Sequence, residues 1–194
     1  MDWHERKRAR TRAALQQHAL RLFAERGFDA TTVEQIAAAA GVSHMTFFRH
    51  FPTKEDVVVA DEYDPRIETL IRAQPTNVPA MTRVRAAMRI GLAEVYAADR
   101  TQLLERVRLI AKTPALRARL WDNQAATELL LARGLDGDEP PLATRAVAAG
   151  CLAAITTAIL AWAERDGVEH LPELVDQALA ALQDAACDAR EAPA

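Results

Sequence analysis

The chain has few of the residues that build sheets or metal centres. Glycine occurs seven times and tyrosine twice in 194 residues, and aromatics make up 5% of the sequence. Nowhere do β-branched residues alternate with polar ones, so strands have no support. The two cysteines, Cys151 and Cys187, fit no metal-ligand spacing and read as inert thiols. Histidine is no better placed: His4, His18, His44 and His50 lack ligand spacing, and His44 and His50, six apart on a helix, fall on different faces. Without a nucleophile–base pair, a metal cluster or a phosphate loop, an enzyme is excluded, and neither cofactor nor metal is expected. A formal net charge of −3 argues against a generic nucleic-acid coat. The charged N-terminus has no apolar core of a secretory signal, which leaves the cytoplasm as the expected compartment.

Half of the residues are hydrophobic, with Ala and Leu dominant, and the chain is long enough to bury a real core. An all-α fold of about nine helices follows. Ala146 to Ala163 carries no charge over eighteen residues, which reaches the length needed to span a bilayer. Its Ala, Gly and Thr content contributes little to insertion, and Arg145 and Glu164 bracket it. A helix buried against other helices is the better reading, and no membrane partner is expected.

Charge is unevenly distributed. Residues 1–60 hold nine Lys and Arg against seven Asp and Glu, and residues 61–194 hold fifteen against twenty. The basic excess sits in Arg6, Lys7, Arg8, Arg10 and Arg12, as expected of a DNA-facing start on an acidic body.

The most informative stretch is 31–54, TTVEQIAAAAGVSHMTFFRHFPTK. Val33, Ile36, Ala37 and Ala40 form one apolar helix face. Thr31 with Glu34, or Thr32 with Gln35, would make a capping box. Gly41–Val42–Ser43 is a tight turn, and Ser43 caps a second short helix that Pro52 stops. That helix mixes Phe47, Phe48 and Phe51 with His44, Met45, Thr46, Arg49 and His50. Buried aromatics combined with hydrogen-bonding tips suit insertion into a major groove. A first helix, from near Glu5 or Arg8 to Arg26, precedes this pair, with Leu15, Ala19, Leu22 and Phe23 facing inward. Thr53 caps a fourth helix expected to reach Arg72. Further helices are expected over 80–97, 99–112, 114–133, 141–166 and 171–190. The division is an N-terminal helix-turn-helix domain at 1–54 and a helical domain at 55–194.

TTVEQIAAAAGVSHMTFFRHFPTKEDVV resembles the DNA-binding signature of the TetR family of bacterial regulators, over residues 8–60. The chain departs from the family pattern at Met45, where Gly or Pro is usual, and at Phe48, where Tyr is usual. The family's tyrosine hydroxyl reaches a phosphate. Phe48 cannot donate that bond, so its role shifts toward packing against sugar or core. Met45 would set a flexible apolar tip against thymine methyls. The resemblance implies that His44, Met45 and Thr46 face base edges, while Ser43, Arg49, His50 and Lys54 meet phosphate. Thr32 would bring its hydroxyl and a helix N-terminus to a phosphate. Arg6 to Arg10 would form an arm adding backbone or minor-groove contacts.

The C-terminal half more loosely resembles the mycofactocin-regulator-like subgroup, through Arg108-Leu109-Ile110, Pro114-Ala115-Leu116-Arg117 and Ala161-Trp162. That resemblance implies ligand binding and dimerisation, with some members responsive to acyl-CoA. Met88, Tyr96, Leu104, Arg108, Trp121 and Trp162 are the candidate pocket residues. Arg85, Arg89 and Arg106 are further candidates for a phosphate-bearing head group. A homodimer would pack through Ala149, Ala153 and Leu160 and through the face of Leu174, Ala178 and Leu182. The expectation is a repressor released from a palindromic operator by a small, largely apolar effector, with the fourth helix as the lever. The alternative is a DNA-binding regulator controlled by a protein partner or by cysteine redox chemistry.

Overall fold

Helix punctuation in this chain falls where side chains can satisfy the open backbone groups. The computed structural model describes residues 3–60 and 64–191. Among them there is no strand. Nine helices are present: α1 (Trp3–Arg26), α2 (Val33–Ala39), α3 (His44–His50), α4 (Asp56–Val59), α5 (Asp64–Arg72), α6 (Ala80–Lys112), α7 (Pro114–Asp136), α8 (Leu142–Glu164) and α9 (Leu171–Glu191).

Two compact units are built from them. The first holds α1 to α4 and, from far along the chain, residues 112–120, which contain the first turns of α7. Its core joins Leu15, Ala19, Leu22 and Phe23 of α1 to Ile36, Ala37, Phe47, Phe51, Val57, Val58 and Leu116, all buried. The ring pairs Phe23–Phe28, at 5.0 Å, and Phe47–Phe51, at 5.7 Å, lie in this core. The expected inward face of α1 is the observed one.

The fourth helix differs from expectation. It stops after one turn, because Ala60 is extended at φ −65° and ψ 123°, and α5 starts afresh at Asp64. The sequence offers a reason in Pro65: a proline supplies no N–H to continue a helix, a defect that does not matter in the first turn of a new one. A single long lever from Thr53 to Arg72 is therefore absent.

The second unit contains α5, α6, the remainder of α7, α8 and α9. α6 runs on through the expected boundary at Asp99, whose backbone is nonetheless non-helical (φ −158°, ψ 83°). Its carboxylate accepts from the Gln102 N–H at 2.9 Å, so it caps the second half of the helix. α8 packs on α9 and places Ala148, Cys151, Ile155, Ala158 and Trp162 in the core. By length and composition α8 could cross a membrane, but these core side chains identify it as an internal helix of the unit.

Arg83 is buried. Its guanidinium donates to the carbonyls of Leu135 (2.9 Å), Ile71 (3.3 Å) and Gly134 (3.3 Å). These belong to the last turns of α5 and α7, where open carbonyls and the helix dipoles favour a cation.

Candidate nucleic-acid interface

The reading element is α3, seven residues long. A helix this short does not hold itself, so its position depends on what fixes its ends. At the entry, α2 closes in a Schellman motif: Gly41 N–H donates to Ala38 O at 3.1 Å and Val42 N–H to Ala37 O at 3.0 Å. Gly41 sits at φ +68°, a left-handed conformation. Ser43 then caps α3, its Oγ accepting from Thr46 N–H at 3.1 Å.

Of the two threonines open at the start of α2, Thr32 is the cap. Its Oγ1 accepts from Gln35 N–H at 3.3 Å, and Gln35 Oε1 accepts from Thr32 N–H at 3.1 Å. Thr31 is buried, its hydroxyl donating to Gly27 O at 2.8 Å. Thr32 and Ser43 are both exposed at these helix starts.

Between these ends Phe47 is fully buried, and the opposite face carries His44, Met45, Phe48 and Arg49 in solvent. Met45 is 69% and Phe48 40% exposed. The Phe48 ring meets the edges of His44 and Phe47, with centroids 5.2 and 5.4 Å away. Phe48 is thus a surface aromatic rather than a core one. Thr46 is half-buried, its hydroxyl 3.0 Å from Ser43 Oγ.

At the exit, Arg12 Nη1 donates to His50 O at 3.0 Å, and its guanidinium lies over the Phe51 ring, 4.3 Å from the centroid. His50 is half-buried. Burial, then the charges of Arg8, Arg49 and Arg12, lower its pKa below the ordinary imidazole value. It therefore presents a neutral ring at neutral pH, amid arginines that make this end of α3 positive.

Lys54 has partners within the protein. Its ammonium donates to Phe28 O (2.9 Å) and Thr31 O (3.2 Å) and lies 4.1 Å from the Phe28 ring centroid. Two of its three donors thus pin the turn between α1 and α2, which leaves one for a phosphate. The basic N-terminal residues Arg6, Lys7, Arg8 and Arg10 are all exposed, and they form helical turns of α1 instead of an extended arm.

Just past α3, Thr53 and Asp56 make a reciprocal pair. Asp56 Oδ2 accepts from Thr53 N–H (3.0 Å) and Thr53 Oγ1 (2.9 Å), and Thr53 Oγ1 accepts from Asp56 N–H (3.2 Å). Arg119 completes the carboxylate's shell, with Nε 2.7 Å from Oδ1 and Nη2 3.1 Å from Oδ2. Burial pushes Asp56 upward, but the bonds from Arg119 and Thr53 and the Arg119 charge outweigh it, so its pKa is lowered. The sequence placed Arg12 only among the basic N-terminal residues, and the contacts of Arg12, Asp56 and Arg119 were not foreseen. The Thr-x-x-Asp spacing was available as a capping signal, whereas nothing in sequence pairs positions 56 and 119.

In the second unit, Met88, Leu104 and Trp162 lie in one buried cluster, and Tyr96 packs against it. The Tyr96 and Trp162 rings are 6.1 Å apart, and Trp162 Nε1–H donates to Glu169 O at 2.9 Å. Arg108 instead pairs with Asp166 at 2.7 Å. Trp121 is 56% exposed and stands apart from the cluster, because α7 turns Leu131, Ala132 and Leu135 inward. Arg85 is engaged by Asp176 at 2.6 and 2.8 Å. Cys151 is buried, which raises its thiol to about 11 and leaves it protonated and inert at neutral pH. The side chain of Cys187 lies outside the described residues.

A capped pair of short helices with a polar outward face, held on a buried aromatic base, defines a helix-turn-helix DNA-binding protein. Comparison with known proteins makes this specific. Residues 17–60 match the model of bacterial regulatory proteins of the tetR family, and residues 78–186 match the MftR C-terminal domain. The chain belongs to the TetR family of transcriptional regulators, which are not enzymes. It is 34% identical over 136 residues to the regulator TcmR of Streptomyces glaucescens, covering 66% of this chain and 60% of that one. It is 30% identical over 122 residues to the regulator MftR of Mycobacterium tuberculosis, covering 59% and 61%. The matches thus span about three fifths of these relatives' length. The transcriptional repressor FadR of Thermus thermophilus, solved with lauroyl-CoA, is 26% identical with a TM-score of 0.56, over 89% of this chain and 93% of that one.

Proposed function

We propose that this chain is a cytoplasmic, homodimeric repressor that binds a palindromic operator and leaves it when an apolar, acyl-CoA-like effector occupies the second unit. The observation that carries the DNA half is the outward face of α3. His44, Met45 and Thr46 address base edges, while Ser43, Thr32, Arg49 and the remaining donor of Lys54 address phosphate. Phe48 packs on the backbone sugars, and His50 meets phosphate. The exposed arginines and lysine of α1 extend the phosphate contacts, which is consistent with salt-dependent binding.

The dimer reading is supported by α8. Its outward residues Ala146, Ala149, Ala153 and Thr157 are small and exposed, and Leu160, Leu174, Ala178 and Leu182 are only half-buried. Two-fold symmetry would match a palindromic site. The effector reading draws on the likeness to the Thermus repressor solved with lauroyl-CoA and on the cluster of Met88, Tyr96, Leu104 and Trp162. Differential binding of the effector to a dimer with misplaced reading heads would need a coupling of roughly 1–3 kcal/mol, about 5–150-fold in affinity.

Selection of genomic fragments by the purified protein, followed by sequencing, tests this. One enriched palindrome, bound by a dimer and released by lauroyl-CoA, is the expected result. Failure to prefer any duplex over random DNA, with or without lauroyl-CoA, would overturn it.

A further inference from the structure

The first unit is not made of the N-terminal residues alone. Residues 112–120 cluster with it, more than fifty positions downstream of Ala60. On the first turns of α7, Leu116 and Arg119 are three apart and so share a face. Leu116 is completely buried. Arg119 places both arms of its fork on Asp56, at 2.7 and 3.1 Å. The Asp56 side chain is 6% exposed and that of Arg119 32%. A carboxylate this enclosed needs its cation, and the bidentate geometry fixes direction as well as charge.

What Asp56 holds is close to the reading helix. The same carboxylate accepts both Thr53 donors, and Thr53 follows Phe51, the C-cap of α3, by two residues. We propose that Arg119 is a positioning residue of the DNA-reading head: through Asp56 and Thr53 it sets where α3 ends, so that the first turns of α7 are a working part of the DNA-binding unit. This rests on the DNA-binding reading above. The consequence is topological. The backbone passes between the units after residues 60, 111 and 120, and the last passage lies inside one helix. A displacement of the first turns of α7 would therefore act on the reading head through a charged fork.

The test is hydrogen exchange on the full-length protein, comparing the native chain with Arg119→Gln and Arg119→Lys. Amides of residues 44–59 in the Gln variant should exchange at least tenfold faster, with those of 148–162 in α8 unchanged. The Lys variant, which keeps the charge without the fork, should fall between. On the duplex enriched by the selection, the Gln variant should bind at least fivefold more weakly, while its affinity for random-sequence duplex stays the same. Unchanged exchange at 44–59, or equal acceleration in both regions, would overturn the proposal, the second outcome showing a general stabiliser. Should Arg119→Gln fail to fold, Arg119→Lys is read by the same two criteria. Should no duplex be enriched, exchange alone decides, and the loss falls on the proposed function instead.

Discussion

Replacing Gly41 by alanine isolates the conformational requirement at the entry to the reading helix. The residue sits at φ +68°, and a Cβ added there would meet no heavy atom within 4 Å. Steric overlap is thus absent, and the whole penalty is the left-handed backbone, about 1–2 kcal/mol for an L-residue. The alanine also narrows the unfolded ensemble, which returns about 0.4–1 kcal/mol. The net loss is then about 0–1.6 kcal/mol, or roughly 0–6 °C in Tm for a chain of this size. Binding is a property of the folded state, so strain relieved by displacing the start of α3 can weaken it by no more than the left-handed penalty itself, about fivefold to thirtyfold per reading head. Gly41→Asn is the control, because asparagine tolerates this region, and most of both losses should be recovered. Calorimetry and a binding titration on the selected duplex measure the two quantities. If asparagine were as damaging as alanine, or alanine left DNA binding unchanged, the left-handed turn would not be what Gly41 supplies.

Gly134→Ala should behave oppositely: its Cβ would lie 2.9 Å from Ile71 Cβ and 3.2 Å from Glu68 O. The helix-propensity gain of about 1 kcal/mol is outweighed by overpacking of about 1–3 kcal/mol, so a thermal melt should show a lower Tm. Phe48→Tyr restores a hydroxyl on a side chain that is 40% exposed, and should tighten binding to the selected duplex about twofold to tenfold with Tm unchanged. His50, whose folded pKa is lowered, is neutral in the free protein, and a bound phosphate would raise that pKa. Binding then takes up a proton, so affinity should rise from pH 8 to pH 6, and His50→Gln should flatten that slope. For the free protein the sign reverses. The unfolded state holds the extra proton between the two pKa values, so His50 lowers stability as pH falls through the unfolded imidazole value.

The fold was legible wherever a side chain acts on its own neighbourhood. Leu15, Ala19, Leu22 and Phe23 announce the inner face of α1, and Ser43 announces the start of α3. Asp99 marks the boundary inside α6. Where two local solutions compete, sequence leaves a tie: Thr31 and Thr32 each have a partner three residues on, and the core settles it by enclosing Thr31. The fourth helix was expected to run from Thr53 to Arg72, although Pro65 lies within that span, and the extended Ala60 interrupts it. The candidate interface could be drawn as a set of residues on α3, because one helix carries them. The hydrogen bonds of Lys54, Arg12 and Arg119 could not be foreseen, since their partners Phe28, His50 and Asp56 become neighbours only after folding. Trp121 shows the same limit, because an aromatic on an amphipathic helix does not reveal which face is covered.

The discontinuous first unit bears on how such regulators can be recombined. Grafting residues 1–60 onto the body of another family member treats the reading head as a cassette with one junction. In this protein that cassette would arrive with Asp56 buried and its arginine left behind. A working hybrid would have to transplant positions 112–120 as well, or find a host whose equivalent helix already carries an arginine at the position of Arg119.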